Sequence, residues 1–232
     1  MKSNAPIILA LDFPDIQSTI EMIERTSQVI SIYKLGLEFY LAQGKNGIAK
    51  IMSFFPDIDI FLDLKLHDIP NTVAGACSSV AELKPRFLTV HASGGAEMVS
   101  AAVGASPGTS ITAVTVLTSL DTEELNRLGL PQQTEALALS MAKRAVEAGA
   151  TSIVCSPHEV GLLRKELSSN IALITPGVRP KGASHDDQVR VMTPREAIHA
   201  GSNYVVIGRP ITKASEPGIA AAEIASSLEL PS

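Results

Sequence analysis

Three residues charged at neutral pH fall within six positions of one apolar run: Asp63, Lys65 and Asp68, in FLDLKLHDIPNT at residues 61–72. A strand that enters a core avoids charge unless the charge is paired, because an unpaired buried ion is strongly disfavoured. A lysine flanked by carboxylates keeps its proton near neutral pH, since each carboxylate favours the charged form. Lys65 is therefore a candidate proton donor. It is a poor candidate for a general base or Schiff-base nucleophile, roles that need a depressed lysine pKa. Lys34, in VISIYKLG, extends the group to an array of Lys34, Asp63, Lys65 and Asp68 in which every member has an opposite neighbour. Asp68 has two readings. It precedes IPNT, which reads as a helix start with proline in the first turn, so it is either a helix N-cap or a member of the array. His67 and His91 raise the possibility of a metal site with Asp63. Lys34 and Lys65 would repel a cation there, so no metal is expected.

These residues need elements to hold them. Eight short β-rich runs recur, at 7–12, 29–36, 58–65, 86–92, 111–118, 152–156, 171–177 and 204–208, with helix-prone segments between them. Strand–helix alternation implies a parallel sheet with helical crossovers, and eight units in 232 residues predict one (β/α)8 TIM barrel, a single α/β domain over residues 1–232. The competing doubly wound sheet often carries a glycine-rich first turn, whereas LDFPD after the first run has no glycine.

In a barrel, successive strand residues point alternately inward and out to the helices. Leu62, Leu64 and Leu66 then face the helices, and Asp59, Phe61, Asp63 and Lys65 face inward. Asp12 ends strand one on the face of Ile8 and Ala10. Lys34 ends strand two on the face of Ile30 and Ile32. Thr118 ends strand five, and Gly208 and Arg209 end strand eight. Polar groups thus gather on the C-terminal rim, where barrel enzymes build their sites. TPGVRP puts Gly177 and Arg179 after strand seven, and IGRP puts Gly208 and Arg209 after strand eight. Glycine lets backbone N–H groups approach an anion and arginine binds it in bidentate fashion, so these two loops predict a phosphate site. RPKGASHDDQ (179–188) is long and polar, a candidate lid.

Composition narrows the function classes. Nineteen Lys and Arg against 24 Asp and Glu give a net charge of −5, which argues against a general nucleic-acid binder but not against a small anionic substrate. No apolar run approaches a membrane span. The N-terminus MKSNAPIILALD has one lysine and only five apolar residues before Asp12, so it does not read as a signal peptide. Cys77 and Cys155 are far apart and lack zinc-ligand spacing. They read as buried free thiols of a cytoplasmic protein.

DLKLHDIPNTV, together with KLGLE, VTVLTS, TPGVRP and VIGRPIT in this order and spacing, resembles the bacterial orotidine 5′-monophosphate decarboxylase family. The resemblance runs from LALD near the N-terminus almost to the end of the chain. It implies decarboxylation of orotidine 5′-monophosphate to uridine 5′-monophosphate in de novo pyrimidine synthesis, without a cofactor. By the same resemblance, Asp12 and Lys34 contact the ribose hydroxyls, Asp63 lies beside the substrate carboxylate and Lys65 is the proton donor. Asp68 enters the array from a neighbouring subunit, with Ile69 and Thr72 lining that neighbour's pocket, so a homodimer with shared sites is implied. Thr118 hydrogen-bonds the pyrimidine edge. Arg179, Gln188, Gly208 and Arg209 bind phosphate. Two alternatives remain: a magnesium-dependent sister barrel acting on sugar phosphates, which shares the D-x-K-x-x-D strand but carries an acidic metal ligand where this chain has Lys34, and a non-catalytic nucleotide-binding barrel.

Overall fold

A computed structural model describes residues 5–130, 133–179 and 192–228. The eight expected runs form eight parallel strands: β1 (Ile7–Leu11), β2 (Ile32–Gly36), β3 (Asp59–Leu66), β4 (Phe87–His91), β5 (Ser110–Val114), β6 (Ser152–Val154), β7 (Ala172–Thr175) and β8 (Tyr204–Ile207). Each pairs with the next and β8 pairs with β1, which closes the barrel. Between and around the strands lie α1 (Ile16–Thr26), α2 (Leu37–Phe54), α3 (Pro70–Val80), α4 (Gly95–Gly104), α5 (Thr122–Arg127), α6 (Thr134–Glu147), α7 (Val160–Glu166), α8 (Pro194–His199), α9 (Arg209–Thr212) and α10 (Pro217–Leu228).

Alternation along the strands divides the core in two. Leu9, Leu35, Leu62, Leu88, Ile111, Ile153, Leu173 and Val205 point outward and pack with the helices. Ile8, Ala10, Ile32, Phe61, Phe87, Ile174 and Val206 form a smaller cluster inside the barrel. One register row runs Ala10, Lys34, Phe61, Phe87 and Ser110 across five strands. Lys34 therefore enters the site from the level of the inner aromatic layer.

The barrel floor is closed by side chains at the strand starts. Phe61 and Phe87 meet edge to face with centroids 5.7 Å apart, and Phe87 meets Tyr204 at the same distance. The Arg86 guanidinium lies 5.3 Å from the centroids of both Phe87 and Tyr204, and it donates to Asp59 and to the Tyr204 hydroxyl. With this end filled, the open end is the C-terminal rim.

Three sequence expectations need correction. Ile30 precedes β2 and packs with the outer core, so only Ile32 shares the inward face with Lys34. β5 ends at Val114, and Thr118 lies in a turn four residues further on. The apolar residues there continue to Leu117, which hides the strand end from a reading of hydrophobicity. β8 ends at Ile207, and Gly208 is the N-cap of the short α9.

Phe61 is 1% exposed and supports the residues above it. Phe61→Ala should destabilise the protein by about 3–5 kcal/mol, read as a fall in the midpoint of guanidinium unfolding; an unchanged midpoint would show that this layer does not carry the barrel.

Candidate active site

β3 does not run straight to its end. Leu62 is in register with Leu88, but Leu66 is in register with Val90, so β3 spends four residues where β4 spends two. Lys65 sits inside this irregularity with φ +48°, one of two non-glycine residues at positive φ among the described residues. A non-glycine residue in the left-handed region costs about 1–2 kcal/mol, which marks the position as one where geometry outweighs local preference.

Within this irregularity the Lys65 side chain lies against Asp63. Lys65 Nζ lies 2.8 Å from both Asp63 carboxylate oxygens. Lys34 Nζ lies 3.5 Å from Asp63 Oδ2 and 3.1 Å from Asp12 Oδ1. The charges thus alternate as Asp12, Lys34, Asp63, Lys65. Asp63 and Lys34 have only 10% and 13% of their side chains exposed, against 33% for Lys65. Thr89 on β4, which the sequence reading did not single out, donates from Oγ1 to Asp63 Oδ1 at 3.0 Å. Burial alone would push the Asp63 carboxyl up, and it is the largest single influence. Lys34, Lys65 and the hydrogen bonds from Lys65 and Thr89 together outweigh it, and the net shift is downward.

Asp68 stands apart from this cluster. It is exposed and accepts a hydrogen bond from the Ile69 N–H at 2.7 Å. It is not the N-cap of α3: that position is Ile69, and no side chain caps the helix. No ion pair joins Asp68 to Lys34 or Lys65 among the described residues. Ile69, 66% exposed, and Thr72 also face away from the chain's own core, while Val73, Cys77 and Val80 bury the other side of α3.

Lys34, Asp63 and Lys65 line a cavity of about 210 Å³, together with Val116, Val154, Pro176 and Val206. Leu117 and Thr118 line both this cavity and a larger cleft of about 770 Å³. Thr118, though beyond the strand, is thus at the mouth, and a Cβ added to Gly177 would sit 4.0 Å from its methyl. The lining combines charged and apolar side chains, as small-molecule sites commonly do.

Arg179 and Arg209 follow neighbouring strands, since Thr175 is in register with Val205. The Arg179 backbone N–H donates to the Met192 carbonyl, and its Nη1 donates to the Val178 carbonyl at 3.1 Å. Arg209 is exposed at the start of α9. Gly208 faces β1, where an added Cβ would lie 3.4 Å from that of Ala10. Gln188 and the rest of the 180–191 stretch lie outside the described residues.

The His67 and His91 rings lie 5.3 Å apart at 38°. Among the described residues no group of three or more His, Cys, Asp or Glu is arranged to hold a metal. Burial, then His67 and Lys65, push the His91 imidazole below its usual value, and Asp63 acts weakly the other way. Cys77 and Cys155 are both free and buried. Burial, with Glu159 beside it, raises the Cys155 thiol to about 12, which makes it inert as a nucleophile. No helix among the described residues is long and apolar enough to cross a membrane.

Comparison with known proteins gives a consistent result. Residues 5–224 match the family model described as orotidine 5′-phosphate decarboxylase / HUMPS family. The orotidine 5′-phosphate decarboxylase of Thermobifida fusca is 50% identical over 97% of this chain and 96% of its own. That of Anaeromyxobacter sp. strain K is 47% identical over 98% of this chain and all of its own. The crystal structure of orotidine 5′-phosphate decarboxylase from Lactobacillus acidophilus superposes with a TM-score of 0.84 at 34% identity, covering 97% of this chain and 100% of that one.

The lowered Asp63 carboxyl has a stability consequence. A carboxylate depressed by folding stabilises the fold above the ordinary carboxylate range, and that contribution is lost as pH falls towards its folded value. Wild-type stability relative to Asp63→Asn should therefore decline as pH is lowered through that window. Unfolding midpoints of the two proteins between pH 7 and pH 3 check this, and a gap independent of pH would contradict it.

Proposed function

The chain belongs to the orotidine 5′-phosphate decarboxylase / HUMPS family, and from that membership we propose that it converts orotidine 5′-monophosphate to uridine 5′-monophosphate in pyrimidine synthesis, without a cofactor and with Lys65 as proton donor. The observation that carries this reading is the Asp63–Lys65 pair, with both 2.8 Å contacts, at the mouth of the barrel. Lys34 favours it over a metal-dependent sister reaction. Its ammonium lies between Asp12 and Asp63, where a cation would meet two lysines.

The bond that breaks joins C6 of the pyrimidine to its carboxylate, which departs as carbon dioxide. The electron pair remains on an sp² carbon in an orbital orthogonal to the ring π-system, so resonance does not spread it. Stabilisation must come from charge already in place. An ammonium about 4 Å from a developing anion is worth on the order of 4 kcal/mol at an effective dielectric near 20. At roughly 1.4 kcal/mol per tenfold this is about a thousandfold in rate. Lys65 then transfers a proton to C6 and regains one from solvent. Asp63 keeps Lys65 oriented through both contacts until that moment, and lies beside the departing carboxylate.

The remaining roles follow the same reading. Asp12 and Lys34 hold the ribose hydroxyls, and Thr118 the pyrimidine edge. Arg179, Arg209 and the Gly208 backbone hold the phosphate, with Gln188 assigned to the same anion by sequence resemblance alone. Binding energy from the phosphate, remote from C6, is then available to orient the ring. Asp68, Ile69 and Thr72 serve the pocket of a second copy of the chain. Their outward placement and the 66% exposure of Ile69 support a homodimer with shared sites. The protein is proposed to be cytoplasmic, with the nucleotide and its twin chain as its partners.

Lys65→Ala should lower kcat at least about a thousandfold while the protein stays folded by circular dichroism; turnover near that of the wild type would remove Lys65 as the acid. Inactive Asp63→Ala and Asp68→Ala chains, mixed under conditions where subunits exchange, should regain activity because one site per heterodimer is intact. A mixture that exchanges and stays inactive would end the shared-site reading.

A further inference from the structure

Thr89 is fully buried on β4, at an inward position between Phe87 and His91. Its hydroxyl has one proton to donate and lone pairs to accept, and both capacities are used on the charged cluster. Oγ1 accepts from the Lys65 backbone N–H at 2.8 Å and donates to Asp63 Oδ1 at 3.0 Å. The first bond has a particular task. Where β3 carries its two extra residues, the regular ladder to β4 is interrupted between Leu62 and Leu66, and Lys65 stands in the left-handed region. An unpaired buried N–H costs about 1–3 kcal/mol, and the Thr89 hydroxyl supplies the partner. A valine, equally suited to an inner strand position, could not.

We propose that Thr89 is a positioning residue for the decarboxylation: one hydroxyl ties the backbone of Lys65 and the carboxylate of Asp63 to β4, and so sets the direction in which the Lys65 ammonium is presented. Thr89 touches no reacting atom in this account and acts through its two partners. The inference rests on the reading of Lys65 as the acid, but one of its consequences does not. Asp63 is faced by Lys34 from β2, Lys65 from its own strand and Thr89 from β4; Asp12 stands behind Lys34, and the His91 imidazole on β4 feels its charge. Removing the hydroxyl leaves these charges in place and takes away one group that favours the ionised carboxylate. The Asp63 titration must then move upward whatever Lys65 does in the reaction.

The test compares Thr89→Val, which keeps shape and loses the hydroxyl, with Thr89→Ser, which keeps the hydroxyl and loses the methyl. In Thr89→Val, kcat for orotidine 5′-monophosphate should fall about 10- to 100-fold, as expected for a small displacement of a reacting group. KM should change less than about threefold, and the acid limb of the kcat profile should shift to higher pH. Carboxyl ¹³C NMR, with the Asp63 resonance assigned through Asp63→Asn, should show the same upward shift. Thr89→Ser should stay within about threefold of wild type with its Asp63 titration unmoved. Wild-type kcat and titration in Thr89→Val would overturn the proposal. So would a Thr89→Ser protein impaired more than about tenfold, which decides the question even if the valine variant does not fold, because packing of the methyl would then be what matters. If the titration moves in Thr89→Val but Lys65→Ala remains active, the proton-donor reading fails alone and the tie between Thr89 and Asp63 stands.

Discussion

The salt bridge between Asp63 and Lys65 is the constraint around which the rest of this structure is arranged. A carboxylate with 10% of its side chain exposed is tolerable only with compensating partners, and here the compensation comes from two ammoniums and a hydroxyl. The pair is partly buried, so its attraction is screened less than on the surface. It is also partly open, so Lys65, with 33% of its side chain exposed, can reach a substrate. Both partners of Asp63 besides Lys65 are themselves anchored: Lys34 is held by Asp12 behind it, and Thr89 lies on the next strand.

The barrel supplies what such a cluster needs. Strands alternate, so one chain segment contributes leucines to the outer core and ionisable groups to the mouth without conflict. Phe61, Phe87, Tyr204 and Arg86 fill the other end with ring and guanidinium contacts. The β3 irregularity then departs from regularity at the one position where the proposed chemistry needs it. Asp63 and Lys65 share a face by the period of two, and the left-handed residue at Lys65 accompanies the two extra residues of β3. This is local strain held by surrounding structure at the proposed site, and the holding bonds run from Thr89 to the Lys65 N–H and the Asp63 carboxylate.

Much of this was legible in the sequence. The eight strands follow from short β-rich runs separated by amphipathic segments, and the inward face of β3 follows from the period of two in FLDLKL. The gathering of Asp12, Lys34, Asp63 and Lys65 was legible from their shared inward face, although Lys34 sits in the middle of β2 and Asp12 just past β1 rather than both ending their strands. The misses have physical causes. Thr118 was placed on β5 because apolar residues continue past Val114 into a segment that is buried without being a strand. Asp68 suits an N-cap by residue type, but the helix starts one residue later, with Ile69 at the N-cap and Pro70 at its first position. The turn at Lys65 has no sequence signal, since lysine does not favour positive φ. Thr89 was invisible for the opposite reason: threonine is an ordinary strand residue, and only the geometry reveals what its hydroxyl holds.

The family model and the relatives fix the kind of enzyme, and the site geometry accounts for how it would work by charge placement alone. That account has one requirement that separates it from the metal-dependent sister barrels: the work is done by Lys65, Asp63 and Lys34 with no bound cation. The direct measurement is the loss of orotate absorbance from orotidine 5′-monophosphate on addition of protein freed of metal by EDTA and dialysis. The account predicts undiminished turnover that added magnesium leaves unchanged. Turnover that vanishes with EDTA and returns with magnesium would contradict it.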